Sequence, residues 1–147
     1  MNADKSEMLM NRELTDLVIG CFYEVYNGLG AGFLESVYGN AMAVVLTERG
    51  CSFERERALP VRFRNRLVGD FKADLVVEGK LIVELKAQSQ LARIHEVQLV
   101  NYLKASGITT GLLLNFGPKP EFRRRVLTST ASDPRPSASI RVERSDV

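Results

Sequence analysis

The chain has 147 residues, 45% of them hydrophobic and 26% charged, with a formal net charge of +2. That size suits one globular domain with a real core, and the small net charge means that any basic surface is local and not a property of the whole molecule. No apolar run approaches the ~20 residues of a membrane span, and the polar start MNADKSEM is no signal peptide. A single histidine, His95, excludes multi-histidine metal sites. The two cysteines, Cys21 and Cys51, lack zinc-type spacing and read as reduced, buried thiols of a cytoplasmic protein.

Residues 1–10 read as a loose lead-in. From about Arg12 to Asn27, Leu14, Leu17, Val18, Cys21, Phe22 and Val25 recur at three- and four-residue steps, which predicts an amphipathic helix. Gly28, Gly30 and Gly32 break it. A second helix is predicted from about Leu34 to Arg49, with Leu34, Val37, Tyr38, Ala41 and Val45 inward and Gly50 as its stop. Glu35 stands in its first turn, where a carboxylate either offsets the helix dipole or faces a site.

Strand-like sequence follows. Phe53, Arg55 and Arg57 alternate with glutamates, then Leu59, Val61 and Phe63 alternate with arginines, which predicts two short strands. Arg55, Arg57, Arg62, Arg64, Arg66 and Lys72 make this region locally basic, either a solvated outer face or a patch that meets phosphate.

The stretch DFKADLVVEGKLIVELKA, Asp70 to Ala87, predicts a hairpin turning at Glu78-Gly79-Lys80. With that loop, Val77 faces Leu81 and Asp74 falls opposite Glu84, while Glu84 and Lys86 share a face. Two carboxylates meeting beside an ammonium need a neutralising partner, and hard oxygen ligands suit Mg²⁺ or Mn²⁺. A surface hairpin with one solvated face gives the same spacing. After the hairpin, Leu91 to Ser106 predicts a third helix ended by Gly107. His95, Gln98 and Tyr102 fall in one stripe of it, as satisfied core polar groups or as one wall of a cleft. Ile108 to Phe116 predicts a strand buried on both faces, joined to the hairpin by a crossover and paired in parallel. Arg123, Arg124 and Arg125 read as solvated charges or polyanion contacts. From Thr128 the chain is rich in Ser, Pro, Arg and Asp and reads as a mobile tail.

This succession of a helix glutamate, Asp74, a hairpin, Glu84-Leu85-Lys86 and a Gln98…Tyr102 helix resembles the PD-(D/E)xK nuclease superfamily. It is similar within it to the prokaryotic GxxExxY family, whose naming motif reads Gly32-Phe33-Leu34-Glu35-Ser36-Val37-Tyr38. The likeness runs over residues 12–127, and Ala73 stands where the superfamily's name has proline. It implies an α/β, restriction-endonuclease-like core, a mixed β-sheet flanked by α-helices in the order α-α-β-β-β-β-α-β. Residues 1–127 would form that domain and 128–147 a flexible tail. It further implies Asp74 and Glu84 as metal ligands joined by Glu35, Lys86 as the catalytic lysine, and Gln98, Tyr102 and His95 as groups that orient it or touch substrate. The expected activity is Mg²⁺- or Mn²⁺-dependent hydrolysis of nucleic acid, DNA in preference to RNA, by a chain that as a homodimer would enclose a duplex. The competing expectation is a catalytically silent nucleic-acid- or protein-binding module that keeps the fold.

Overall fold

The computed structural model describes residues 3–129 and 138–144, with side chains from 11 to 128. The elements are α1 (Ala3–Leu29), α2 (Glu35–Glu48), β1 (Phe53–Phe63), β2 (Arg66–Val77), β3 (Leu81–Lys86), α3 (Arg93–Ser106), β4 (Thr110–Phe116), β5 (Pro120–Ser129) and β6 (Ala138–Arg144). The strands form one six-stranded sheet in the order β1-β2-β3-β4-β5-β6. Every neighbouring pair is antiparallel except β3 and β4, which are parallel and joined through α3. This is the mixed sheet with flanking helices expected from the sequence.

Alternation along the central strands sorts side chains into two cores. Leu81, Val83 and Leu85 of β3 and Leu112, Leu114 and Phe116 of β4 pack against Phe22 of α1 and Tyr38 and Met42 of α2. Ile82 and Leu113, on the opposite face, pack against Leu99, Tyr102 and Leu103 of α3. Burying each such side chain is worth about 1.5–3 kcal/mol. Helix α3 comes close enough to β4 that a β-carbon on Gly111 would stand 2.8 Å from Leu99 Cδ1, so only glycine allows that approach. Its end is fixed by Gly107 at φ 77, whose N–H donates to the Leu103 carbonyl.

Several elements differ from expectation. Helix α1 reaches back to Ala3, since no proline interrupts Ala3–Arg12. The inward stripe of α2 is Tyr38, Met42, Val45 and Leu46, and Leu34, outside the helix, is 77% exposed. Residues 53–63 form one strand where two were expected. Pro60 does not break it because β1 is the sheet edge, where a missing N–H costs no ladder bond. Three strands therefore precede α3 instead of four. The run EFRRRVL is strand β5. Its Arg123 and Arg125 are ion-paired with Glu96 (3.6 and 3.2 Å) and Arg123 also with Glu121 (2.7 Å), so they tie β5 to α3 and do not form a solvated patch. Arg124 is buried. Within the expected tail, Ala138–Arg144 add strand β6 beside β5, consistent with the alternating Ile140 and Val142; residues 130–137 and 145–147 lie outside the described ones. Among the described residues no helix is long and apolar enough to cross a membrane. Cys21 and Cys51 carry free thiols.

Candidate active site

The turn of the β2–β3 hairpin has φ 54 at Glu78 and φ 65 at Gly79, and the Lys80 N–H donates to the Val77 carbonyl. Pairing then runs Val77↔Leu81, Val76↔Ile82, Leu75↔Val83 and stops. At the next position the strands part and carboxylates replace the ladder. The Asp74 N–H donates to Glu84 Oε1 (2.9 Å), and the Leu85 N–H donates to Asp74 Oδ2 (2.8 Å). The register read from the sequence thus continues to Asp74 opposite Glu84, as a fork in place of a ladder rung.

Glu84 is 4% exposed. Burial first, and then the Asp74 charge, push its carboxyl up to about 8, while hydrogen bonding from the Asp74 main chain and the Lys86 charge act in the other direction. Lys86 points to the α3 side. Its Nζ donates to Gln98 Oε1 (3.2 Å), and Gln98 Nε2 donates to the Tyr102 hydroxyl (3.1 Å). Tyr102 lies against Phe71 with ring centroids 5.3 Å apart. Burial and the charges of Glu84 and Asp74 raise its phenol above the ordinary range. His95 Nδ1 accepts the Ala92 N–H (2.9 Å) and so closes the first turn of α3. Burial and the Lys86 charge lower its imidazole and the Glu35 charge raises it. The His95 main-chain N–H donates in return to the Ala92 carbonyl (3.0 Å).

Glu35, on the opposite layer, lines a cavity together with Asp74. It opens α2, and Tyr38, one turn on, fixes the helix start. The Tyr38 hydroxyl donates to the Gly30 carbonyl (2.6 Å) and accepts the Phe33 N–H (3.2 Å), while its ring stacks on Phe116 at 4.1 Å. Gly32 at φ 111 gives the preceding loop a turn that a side chain would strain. Each member of Gly32-x-x-Glu35-x-x-Tyr38 therefore has a separate physical task. A cavity of about 230 Å³ is lined by Glu35, Ser36, Gly39, Arg55, Glu56, Asp74 and Leu85.

Three residues of this region, Glu56, Arg55 and Asn115, are not among the site residues expected from the sequence. Glu56 falls between the paired positions Arg55↔Leu75 and Arg57↔Ala73, where the β1–β2 ladder skips a rung, and has φ 50, uncommon for a non-glycine residue. At this point the ribbon turns over: Phe53, Leu75 and Val77 pack in one core, and Leu59, Phe71 and Ala73 in the other. Arg55 Nη1 donates to Asn40 Oδ1 (2.8 Å), with its guanidinium over Gly39. Asn115, buried in β4, accepts the Gln88 N–H (2.9 Å) and donates to the Gln88 carbonyl (3.0 Å), fixing the chain just past Lys86. Only Asn115 has a sequence signal, a polar residue inside the apolar run LLLNF.

The structure thus brings Glu35 and Asp74 to one cavity, joins Glu84 to Asp74 by a main-chain hydrogen bond, and sets Lys86, Gln98 and Tyr102 in a chain on the other side. Asp74, Glu84 and the Leu85 carbonyl are hard oxygen donors, and no ion pair is found for Glu84 among the described residues. That donor set fits a hard divalent cation. Among the described residues no three His, Cys, Asp or Glu side chains already converge as a metal cluster.

A solved structure titled "Crystal structure of SSO0001" is similar to this chain, with 18% identity and a TM-score of 0.49 over 81% of this chain and 60% of that one. The likeness thus spans about three fifths of that chain's length. No curated protein matches significantly. The family model described as the PD-(D/E)XK nuclease superfamily matches residues 12–125, most of the chain. With that match across the fork and both flanking layers, the chain belongs to the PD-(D/E)XK nuclease superfamily.

Proposed function

We propose that this chain is a divalent-metal-dependent nuclease of the GxxExxY type that hydrolyses DNA phosphodiester bonds. The observation that carries this reading is the fork. Two opposed strand carboxylates, Asp74 and Glu84, interrupt the β2–β3 ladder beside an ammonium that Gln98 and Tyr102 hold. Asp74, Glu84 and the Leu85 carbonyl would hold Mg²⁺ or Mn²⁺, which when bound supplies charge neutralisation at a phosphate oxygen and a more acidic water. Lys86 Nζ, turned from Gln98 toward substrate, orients the attacking water and offsets negative charge building on the phosphoryl oxygens. Glu35, lining the same cavity as Asp74, accepts a hydrogen bond from that water and fixes its approach. Tyr102 and Gln98 keep the lysine from swinging into solvent.

The test is cleavage of single- and double-stranded DNA and RNA with Mg²⁺ or Mn²⁺ by wild type, Glu84→Ala and Lys86→Ala. Activity confined to wild type supports the reading, and cleavage that survives in both variants sinks it. A second reading, a silent binding module, draws on the fact that both carboxylates already accept main-chain N–H groups and so serve the fold. Calorimetry that finds no divalent-cation binding dependent on Asp74 and Glu84 would favour it.

A further inference from the structure

Beyond Leu59 and Phe71 the β1–β2 ribbon leaves both cores: no residue of Val61–Gly69 belongs to either. The register slips between Val61 and Arg62, a bulge that sharpens the local twist, and the tip turns through Arg64 (φ 50) and Asn65 (φ 64). Phe63, Leu67 and Val68 are 59%, 53% and 62% exposed. The segment VRFRNRLVG carries three arginines and no acidic residue. No ion pair among the described residues neutralises Arg62, Arg64 or Arg66; Arg64 lies over the Phe63 ring at 5.0 Å.

The cross-strand pairs are Phe63↔Arg66 and Arg62↔Leu67. Directly opposed residues share a face, so each face of the ribbon carries one guanidinium beside one apolar side chain. A ribbon built to enter another protein's core would segregate its apolar groups on one face. Mixed faces with uncompensated positive charge suit a polyanion that also offers apolar edges.

We propose that Val61–Gly69 is an arm that binds the major groove of duplex DNA, its arginines on phosphates and Phe63, on one face of the ribbon, against base edges. The B-form major groove admits a two-stranded β-ribbon, whereas the deep, narrow major groove of A-form RNA does not. Where on the duplex the arm falls rests on the nuclease reading. The same two strands run from the tip to Asp74, and at ~3.3 Å per residue the tip stands up to about 30 Å from the fork. The arm therefore grips DNA up to about one helical turn from the bond at the fork.

The experiment measures duplex DNA binding by fluorescence anisotropy across a salt series in chelator, for wild type, R62A/R64A/R66A and Phe63→Ala. Hydrolysis of bis(p-nitrophenyl) phosphate with Mn²⁺ is followed in parallel, and thermal melting checks that the exposed substitutions leave the fold intact. The expected result is at least about tenfold weaker binding by the triple variant and a salt slope smaller by roughly 3, one per arginine. Phe63→Ala weakens binding with the slope unchanged, and small-diester hydrolysis is unaltered in both. Unchanged affinity and slope in the triple variant overturn the arm, as does equal affinity for duplex RNA. A wild-type dimer that Phe63→Ala converts to monomer also overturns it, by making the tip a subunit interface. The two readings fail separately. Arm-dependent DNA binding without any cleavage removes the nuclease and keeps the arm, while cleavage with arm-independent binding does the reverse.

Discussion

A β-carbon on Gly39 would stand 2.9 Å from Nη2 of Arg55, so the helix glycine and the strand arginine occupy one another's space. The arginine end is flexible and can shift, and alanine is favoured over glycine in a helix by about 1 kcal/mol. Gly39→Ala should therefore leave stability within about 1 kcal/mol of wild type while displacing the guanidinium from Asn40. If Arg55 helps shape the cavity, Gly39→Ala and Arg55→Ala each lower DNA cleavage about tenfold and the double variant is no worse than either. Independent, additive losses in a double-mutant cycle would show that the pair does not act as a unit.

Stability of the metal-free protein should depend on Glu84. Its carboxyl is raised from 4.5 to about 8, so between those values the native state keeps a proton that the unfolded chain has released. The contribution is fully present below about pH 4.5 and is lost as pH rises toward 8, with a slope approaching about 1.4 kcal/mol per pH unit. Denaturant melts in chelator from pH 5 to pH 8 should show this decline, and Glu84→Gln should flatten it.

Magnesium or manganese should reverse that decline. A ligand that binds only the native state at 100 times its Kd adds about 2.7 kcal/mol. Thermal shift titrations at pH 8 should show stabilisation by Mn²⁺ in wild type and none in Asp74→Asn or Glu84→Gln.

The Lys86–Gln98–Tyr102 chain separates placement from packing. Tyr102→Phe keeps the ring against Phe71 and loses one hydrogen bond, a cost of about 1 kcal/mol. Gln98→Leu removes the acceptor for Lys86 Nζ. We expect Gln98→Leu to lower kcat about tenfold with little change in DNA affinity, and Tyr102→Phe to have a smaller effect in the same direction. A fall in affinity with kcat intact would assign Gln98 to substrate binding instead.

Asn115→Leu preserves volume but leaves the Gln88 N–H and carbonyl without their side-chain partner. Gln88 itself is exposed, so the loss is that of two part-buried hydrogen bonds at about 0.5–1.5 kcal/mol each. Hydrogen exchange should rise at Gln88 and the residues leading into α3, with β4 still protected.

The register of the fork was legible because a three-residue loop fixes strand parity, and parity alone sets Asp74 against Glu84. Local periodicity also gave the three helices, and the all-apolar run of β4 gave a buried parallel strand. What escaped it depends on distant partners. Glu54 and Glu56 read alike in an alternating strand, and only the turnover of the ribbon gives Glu56 its left-handed backbone and a place in the cavity. Arg123 and Arg125 read as solvated because Glu96, which pairs with both, lies on another element. Residues 53–63 read as two strands because the alternation changes partner from glutamate to arginine near Ala58, whereas the backbone pairs with β2 across that point. Leu34 read as inward because it sits four residues before Tyr38, but it precedes α2 in extended backbone, and the buried stripe runs through Tyr38, Met42, Val45 and Leu46.

The carboxylates of the fork are already employed, since each accepts a main-chain N–H from the other strand. Only one oxygen of each is engaged in this way, Glu84 Oε1 and Asp74 Oδ2, so the second oxygen of each carboxylate is left over from the bonds that join the strands. The same two main-chain bonds that end the ladder therefore hold both carboxylates in a fixed orientation, and an ion using the remaining oxygens would meet groups that are already aimed.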